Sequence, residues 1–164
     1  MIRSFATNDS TTALVQRAVL GAVMFPHGAQ KLLGWYGGAG WDGTLAYFGD
    51  VLGVPAPLAI LVILAESLGA LALIAGLGTR VAAGGIAATM IGAVVLTHLP
   101  HGFFMNWFGN QGGEGYEFHL LALALAVPLV VTGGGRWSID GWLARRLAAG
   151  AADQRPSSLA ASRA

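Results

Sequence analysis

Four runs of this chain are apolar with only isolated polar positions, at residues 13–33, 57–77, 81–99 and 118–132. A helix needs about 20 residues to cross the hydrocarbon core of a bilayer, and the first three runs meet that length. The fourth is short, so it is expected to begin nearer Tyr116 or to sit in locally thinned lipid, with a kink at Pro128. Between the first two runs, residues 34–56 are too many for a simple turn. Leu45, Phe48 and Leu52 recur there at helical spacing and predict a short interfacial helix. The turn Gly78-Thr79-Arg80 makes neighbours of the second and third runs. The pattern predicts an all-α fold: an integral membrane antiparallel four-helix bundle with four transmembrane helices.

The flanks divide the chain into a polar N-terminal segment at 1–12, a membrane domain at 13–142 and a tail at 143–164 that lacks periodic hydrophobicity and is expected to be disordered. The polar stretch from Thr7 to Thr12, with no small-residue cleavage pattern after the first run, predicts a retained helix rather than a removed signal. Composition supports the membrane reading, with 55% hydrophobic and 10% charged residues and a mean hydropathy of +0.64. The basic residues then set the orientation. With the N-terminus inside, Arg3, Arg17, Arg80, Arg136, Arg145, Arg146, Arg155 and Arg163 fall on the cytoplasmic side and only Lys31 falls outside, so both termini are expected in the cytoplasm. Trp35, Trp41 and Trp107 would mark the outer interface, and Trp137 and Trp142 the inner one.

Small residues recur where close helix packing would need them. Ala65 and Gly69, Ala72 and Gly76, and Gly84, Ala88 and Gly92 stand four apart, with Gly85, Thr89 and Ala93 beside the last set.

Ionisable residues inside the runs carry the candidate chemistry. Glu66 lies about nine residues from either end of its run, roughly 13 Å deep, where a lone carboxylate costs several kcal/mol. Arg17, Gly21, Met24, Gly28 and Lys31 recur at steps of four and three, which places both cations on one helix face, and His27 stands one turn before Lys31. Arg17 is expected to snorkel to the inner surface as an anchor. His98, His101, Glu117 and His119 gather at the outer ends of the third and fourth runs, so a polar funnel opening outward with Glu66 at its floor is predicted. Plainer roles compete: Glu66 as a structural carboxyl bonded across a helix interface, His27 and Lys31 as its neutralising partners, and the outer histidines as headgroup-solvated side chains. The aromatic, glycine-rich segment 100–116, with Phe103, Phe104, Trp107 and Phe108, reads either as a lid or as an interfacial anchor.

Several chemistries are excluded or weak. The chain has no cysteine, which removes iron–sulfur ligation, thiol catalysis and thioether haem attachment. His98 and His101 are three apart, but Pro100 between them argues against a regular helix, and no metal site is predicted. Only His27 lies deep enough for an axial haem ligand, and it lacks a second. No phosphate loop, nucleotide fingerprint, serine elbow or basic stripe for nucleic acid occurs.

Taken in order, Arg17 with Gly21, His27-Gly28 and Lys31, then Glu66 with Gly69 and Gly76, the turn Gly78-Thr79-Arg80, His98 with Gly102-Phe103-Phe104, Gly115-Tyr116-Glu117 and the closing Gly133-Gly134-Gly135-Arg136-Trp137-Ser138-Ile139-Asp140 resemble the DoxX family of small bacterial inner-membrane proteins. The resemblance runs from about Leu14 to Asp140. It implies a multi-pass protein of the bacterial inner membrane, related to the DoxD-type subunit of thiosulfate:quinone oxidoreductase and to membrane components of oxidoreductase assemblies. A quinone head needs hydrogen-bond donors and a proton acceptor at membrane depth beside apolar walls. On that expectation Glu66 is the proton relay, and His27, Lys31, Glu117, His98 and His119 bind substrate or quinone, with no covalent cofactor. The lipid bilayer, a second copy of the chain or an oxidoreductase partner are the expected associates. A small-solute transporter or channel, and a non-catalytic membrane scaffold for a partner enzyme, remain the alternatives, and whether the chain is itself an enzyme stays open.

Overall fold

The computed structural model of the protein describes residues 9–153, which among themselves are helical with no strand. Helix α1 spans Thr11–Leu33. After a tight turn at Trp35–Gly37 comes the short α2, Gly40–Ala46, continued by a wider turn at Tyr47–Val51. Helix α3 spans Ala56–Ala75, and α4 spans Thr79–Ala93 and runs on through Val94–His98 and Leu99–His101. Helix α5 spans Glu117–Thr132, and α6 spans Ile139–Asp153.

Local chemistry sets these ends. Ser10 caps α1 by accepting from Ala13 N–H at 3.2 Å, and Gly34 stops the helix in the left-handed region at φ 72°. Pro55 and Pro57 open α3, where a missing N–H costs nothing. At its other end Gly76 takes φ 70° and Leu77 N–H returns to the Ala72 carbonyl at 2.9 Å, satisfying the carbonyls that a helix end leaves free. Pro26 lies inside α1 and Pro128 inside α5, and both helices continue through them.

Each of the four long helices packs on two others, α1 on α3 and α5, and α4 on α3 and α5. Helices α1 and α3 run antiparallel. Gly21 of α1 lies against Ala70 and Ile74 of α3, whereas Gly28 lies against Glu66 and Ser67, so α1 advances as α3 returns. A Cβ on Gly28 would fall on the Glu66 backbone, so only glycine permits this approach. Gly85 of α4 likewise faces Ala65 of α3. The space between the helices is filled by Leu20, Met24, Leu73, Ile86, Met90 and Leu129. Large apolar side chains also face outward, among them Val15, Leu61, Leu68, Val81, Val95 and Leu121. Among the described residues, Ala56–Ala75 and Thr79–His101 are long and apolar enough to cross a membrane, and Glu117–Thr132 is apolar but shorter.

Residues 143–153 differ from expectation. They continue α6 as helix where the sequence predicts a disordered tail. Leu143, Ala144, Arg145, Arg146 and Leu147 are strong helix formers, and Ser138 starts the helix by accepting from Gly141 N–H at 3.1 Å. The predicted tail beyond residue 153, and Arg3, Arg155 and Arg163 of the charge asymmetry, lie outside the described residues.

Candidate functional site

Buried polar groups gather at two places, one at each end of the helices. At the arginine end, Arg17 is 2% exposed and does not snorkel. It lies on the inward face of α1, one turn from Gly21, where the helices approach closely enough for the guanidinium to reach the C-terminal carbonyls of α3. Nε donates to Gly134 O at 2.8 Å, Nη1 to Leu73 O at 3.0 Å and Ile74 O at 2.5 Å, and Nη2 to Arg136 O and Trp137 O, both at 3.2 Å. A guanidinium has five N–H donors, and here each finds a carbonyl. The segment after α5 is folded around it, with Trp137 at a left-handed φ of 51°, rare for a bulky side chain. A Cβ on Gly76 would lie 2.6 Å from Ser138 Cβ and 3.0 Å from Arg17 Cζ, so this junction requires glycine. Asp140, 3% exposed, completes it by accepting from Gly78 N–H at 2.7 Å and Thr79 N–H at 2.9 Å, a carboxylate cap on α4.

The histidine end is built differently. Because Gly28 rests on the Glu66 backbone, Lys31 one turn further reaches across, and its Nζ stands 2.5 Å from Glu66 Oε2. Glu66 is 4% exposed. Lys31 keeps further N–H donors beyond the one it gives Glu66. The His27 ring lies 5.7 Å from that of Phe118, Phe118 lies 5.5 Å from His119, and His119 lies 4.1 Å from His98. His98 Nδ1 is bonded to the Glu114 carbonyl at 2.8 Å. His119 is 6% exposed, and its Nδ1 has no hydrogen-bond partner among the described residues.

These groups border a cavity of about 1230 Å³. Its polar end is lined by His27, Lys31, Glu66, His98, His119 and Glu114, and the rest of its wall is almost wholly apolar, along the faces of α3 and α4. Tyr47 and Phe48 of the wider turn that continues α2 cover part of it, as does Met105 from the segment after α4. That segment is closed on itself, with Tyr116 N–H to Gly102 O at 3.1 Å and Glu117 N–H to Phe103 O at 2.9 Å. Trp107 and Phe108 stand outward at 78% and 90% exposure, while Met105 and Glu114 face the cavity.

Five of the predicted residues, Glu66, Lys31, His27, His98 and His119, thus meet around one cavity. Glu117 does not line it: Oε1 accepts from Met105 N–H and Trp107 Nε1–H, each at 3.1 Å, and so holds the loop. His101 lies instead against Gly113. Sequence reasoning missed Glu114, which sits among loop glycines without periodicity, and Phe118, whose ring stands between His27 and His119. It also missed the role of Arg17; the step of four to Gly21 on a face otherwise small and apolar was the available signal. Among the described residues no three His, Asp or Glu side chains converge as a metal ion would need.

The chain is 30% identical over 127 residues to a Bacillus subtilis (strain 168) protein named "Putative oxidoreductase CatD", covering 77% of this chain and 83% of that one. No solved structure matches it. The DoxX family profile matches residues 12–99, from the start of α1 through Lys31, Glu66 and His98. With more than half its length matched, and with the paired helices that hold the Lys31–Glu66 bridge inside the match, the chain belongs to the DoxX family.

Proposed function

We propose that the chain is a multi-pass protein of the bacterial inner membrane, an antiparallel four-helix bundle with both termini in the cytoplasm, serving as a membrane subunit of a quinone-linked oxidoreductase system. The apolar outward faces of the long helices and the collection of arginines at one end support the membrane placement. The observation that carries the functional reading is the Lys31–Glu66 pair at 2.5 Å bordering a cavity instead of being sealed in protein. A buried ion pair adds little net stability, so a purely structural one has no need of an adjoining space.

A quinone supplies a two-electron, two-proton couple, with the electrons taken to come from a partner oxidoreductase. Lys31 would donate to a ring oxygen, Glu66 beside it would relay the proton taken up on reduction, and the imidazoles of His27 and His119 border the same space. The orphaned His119 Nδ1 fits a ligand rich in hydrogen-bonding oxygen. A transport path along the bundle axis is less well supported, because Leu20, Met24, Leu73, Ile86 and Met90 fill it in a single copy.

Purified protein in lipid nanodiscs is expected to bind a quinone analogue. Glu66→Gln should keep the fold and lower quinone binding and quinone-coupled turnover by roughly 10- to 100-fold, the weight of a hydrogen bond to a charged group. Binding and turnover equal to the unmutated protein would sink the role of Glu66.

A further inference from the structure

We infer that the cavity holds the hydrocarbon chain of the quinone as well as its ring: the tail lies in the furrow between α3 and α4, and His119 Nδ1 bonds the ring where the furrow meets the polar cluster. The inference rests on the quinone reading of this site and adds what that reading leaves open, the recognition of a tailed ligand.

The first observation is shape. The cavity reaches from Glu66, His98 and His119 at one end to Leu77 and Gly78 at the other. Along α3, residues 66 to 75 alone cover roughly 13 Å at about 1.5 Å per residue. A ring alone occupies the polar end and leaves this length unused. The walls are apolar, and small residues hollow them: Gly69 and Ala72 on α3, with Ala82 on α4. A Cβ on Gly85 would touch Ala65 Cβ at 3.3 Å, so the helices meet at the level of Glu66, whereas a Cβ on Gly69, one turn toward Leu77, would have Ala82 Cβ no nearer than 4.0 Å. The helices stand farther apart there, and Ala72 and Ala82 on the two walls are only partly buried. Exposed Leu61, Leu68 and Val81 flank it, so on the membrane reading a lipophilic chain enters sideways without crossing water.

The second observation is independent. His119 is buried, lines the polar end and has no hydrogen-bond partner at Nδ1 among the described residues. Its two ring neighbours do not bond it there: His98 gives its Nδ1 to the Glu114 carbonyl, and Phe118 offers only ring carbon. A buried ring nitrogen without a partner is costly, and a ring oxygen or hydroxyl placed there removes that cost.

The test uses the full chain in phospholipid nanodiscs and two probes, decylubiquinone and the same substituted benzoquinone ring without the decyl chain. The unmutated protein is expected to bind the tailed probe at least tenfold more tightly. Ala72→Leu, which fills the furrow from the α3 wall, should weaken the tailed probe by about tenfold and leave the ring alone unchanged. Ala82→Leu, on the α4 wall, repeats the test should the first variant fold poorly by thermal melting. His119→Phe keeps the ring shape, removes Nδ1 and should weaken both probes to a similar degree. If both probes bind but with equal affinity, or if the furrow variants change nothing, phospholipid chains hold the furrow as readily and the inference falls while the head-group reading stands. If neither probe binds the unmutated protein, the quinone reading falls and the inference falls with it.

Discussion

The two ends of the helices treat their buried charged groups differently. At the arginine end both are answered: the Arg17 guanidinium meets five carbonyls from α3 and from the segment after α5, and Asp140 takes two N–H groups at the head of α4, while the Thr79 hydroxyl beside them has no hydrogen-bond partner among the described residues. At the histidine end the account is left open. Lys31 and Glu66 pair beside a cavity, and His119 Nδ1 has no partner among the described residues. A saturated polar network fastens segments to one another, because any rearrangement strands a charge out of water. An unsaturated one beside a cavity has bonding capacity in reserve for something that is not part of the chain. Both ends use the same device to get there, a glycine on α1 that lets α3 come close, Gly21 near Arg17 and Gly28 near Lys31.

If the arginine end is the fastening, its loss should have the largest effect on stability. Arg17→Met strands five carbonyls and should cost on the order of 3–5 kcal/mol, read from chemical denaturation of the purified protein. Arg17→Lys should recover only part, since a compact ammonium cannot reach acceptors spread over two segments. A loss below about 1 kcal/mol in Arg17→Met would show that the two ends do not differ in this way.

A smaller effect belongs to the cap. Asp140→Ala should cost about 1–2 kcal/mol through two unpaired N–H groups and a lost charge at the helix start, with hydrogen exchange rising first at Gly78 and Thr79. Protection unchanged at those amides would mean that the cap is redundant with Arg17.

The smallest stability change should come from the opposite end. Replacing the pair together, Lys31→Met with Glu66→Leu, should shift stability by no more than about 1 kcal/mol, since a buried ion pair and an apolar pair of similar volume are close to equivalent. Quinone binding should nevertheless disappear. A double variant that unfolds would make Lys31–Glu66 a fastening like Arg17, and the contrast between the ends would be lost.

Much of the fold is legible in the order of residues. The four apolar runs correspond to α1, α3, α4 and α5 within a few residues at each end, because helix length and apolar content are local properties of the chain. The short helix over Leu45 is legible by spacing, and Glu66 by its isolation in an apolar run. Less is legible where a residue's role depends on partners far along the chain. Arg17 resembles a surface anchor until the segment 133–140 folds back over it. Glu117 and Glu114 stand three apart near the same helix start and both accept backbone N–H groups of the loop, and nothing local says that only Glu114 also borders the cavity. The helix at 143–153 escapes a reading by hydrophobic periodicity, which is weak there, although its residues favour helix and Ser138 caps it.

What the sequence determined alone was therefore the set of helices, the asymmetric placement of charge along them and the presence of a carboxyl too deep in an apolar run for water to reach. Those follow from chain-local terms, hydrophobic length, turn residues and the cost of a lone buried charge. Only the tertiary structure decided which buried groups are saturated and which are not. Lys31 and Glu66 are 35 positions apart, and Arg17 and Trp137 are 120 apart. Hydrogen bonds are short and directional, so whether a donor is answered depends on helix crossings that two glycines permit and no single run of residues encodes.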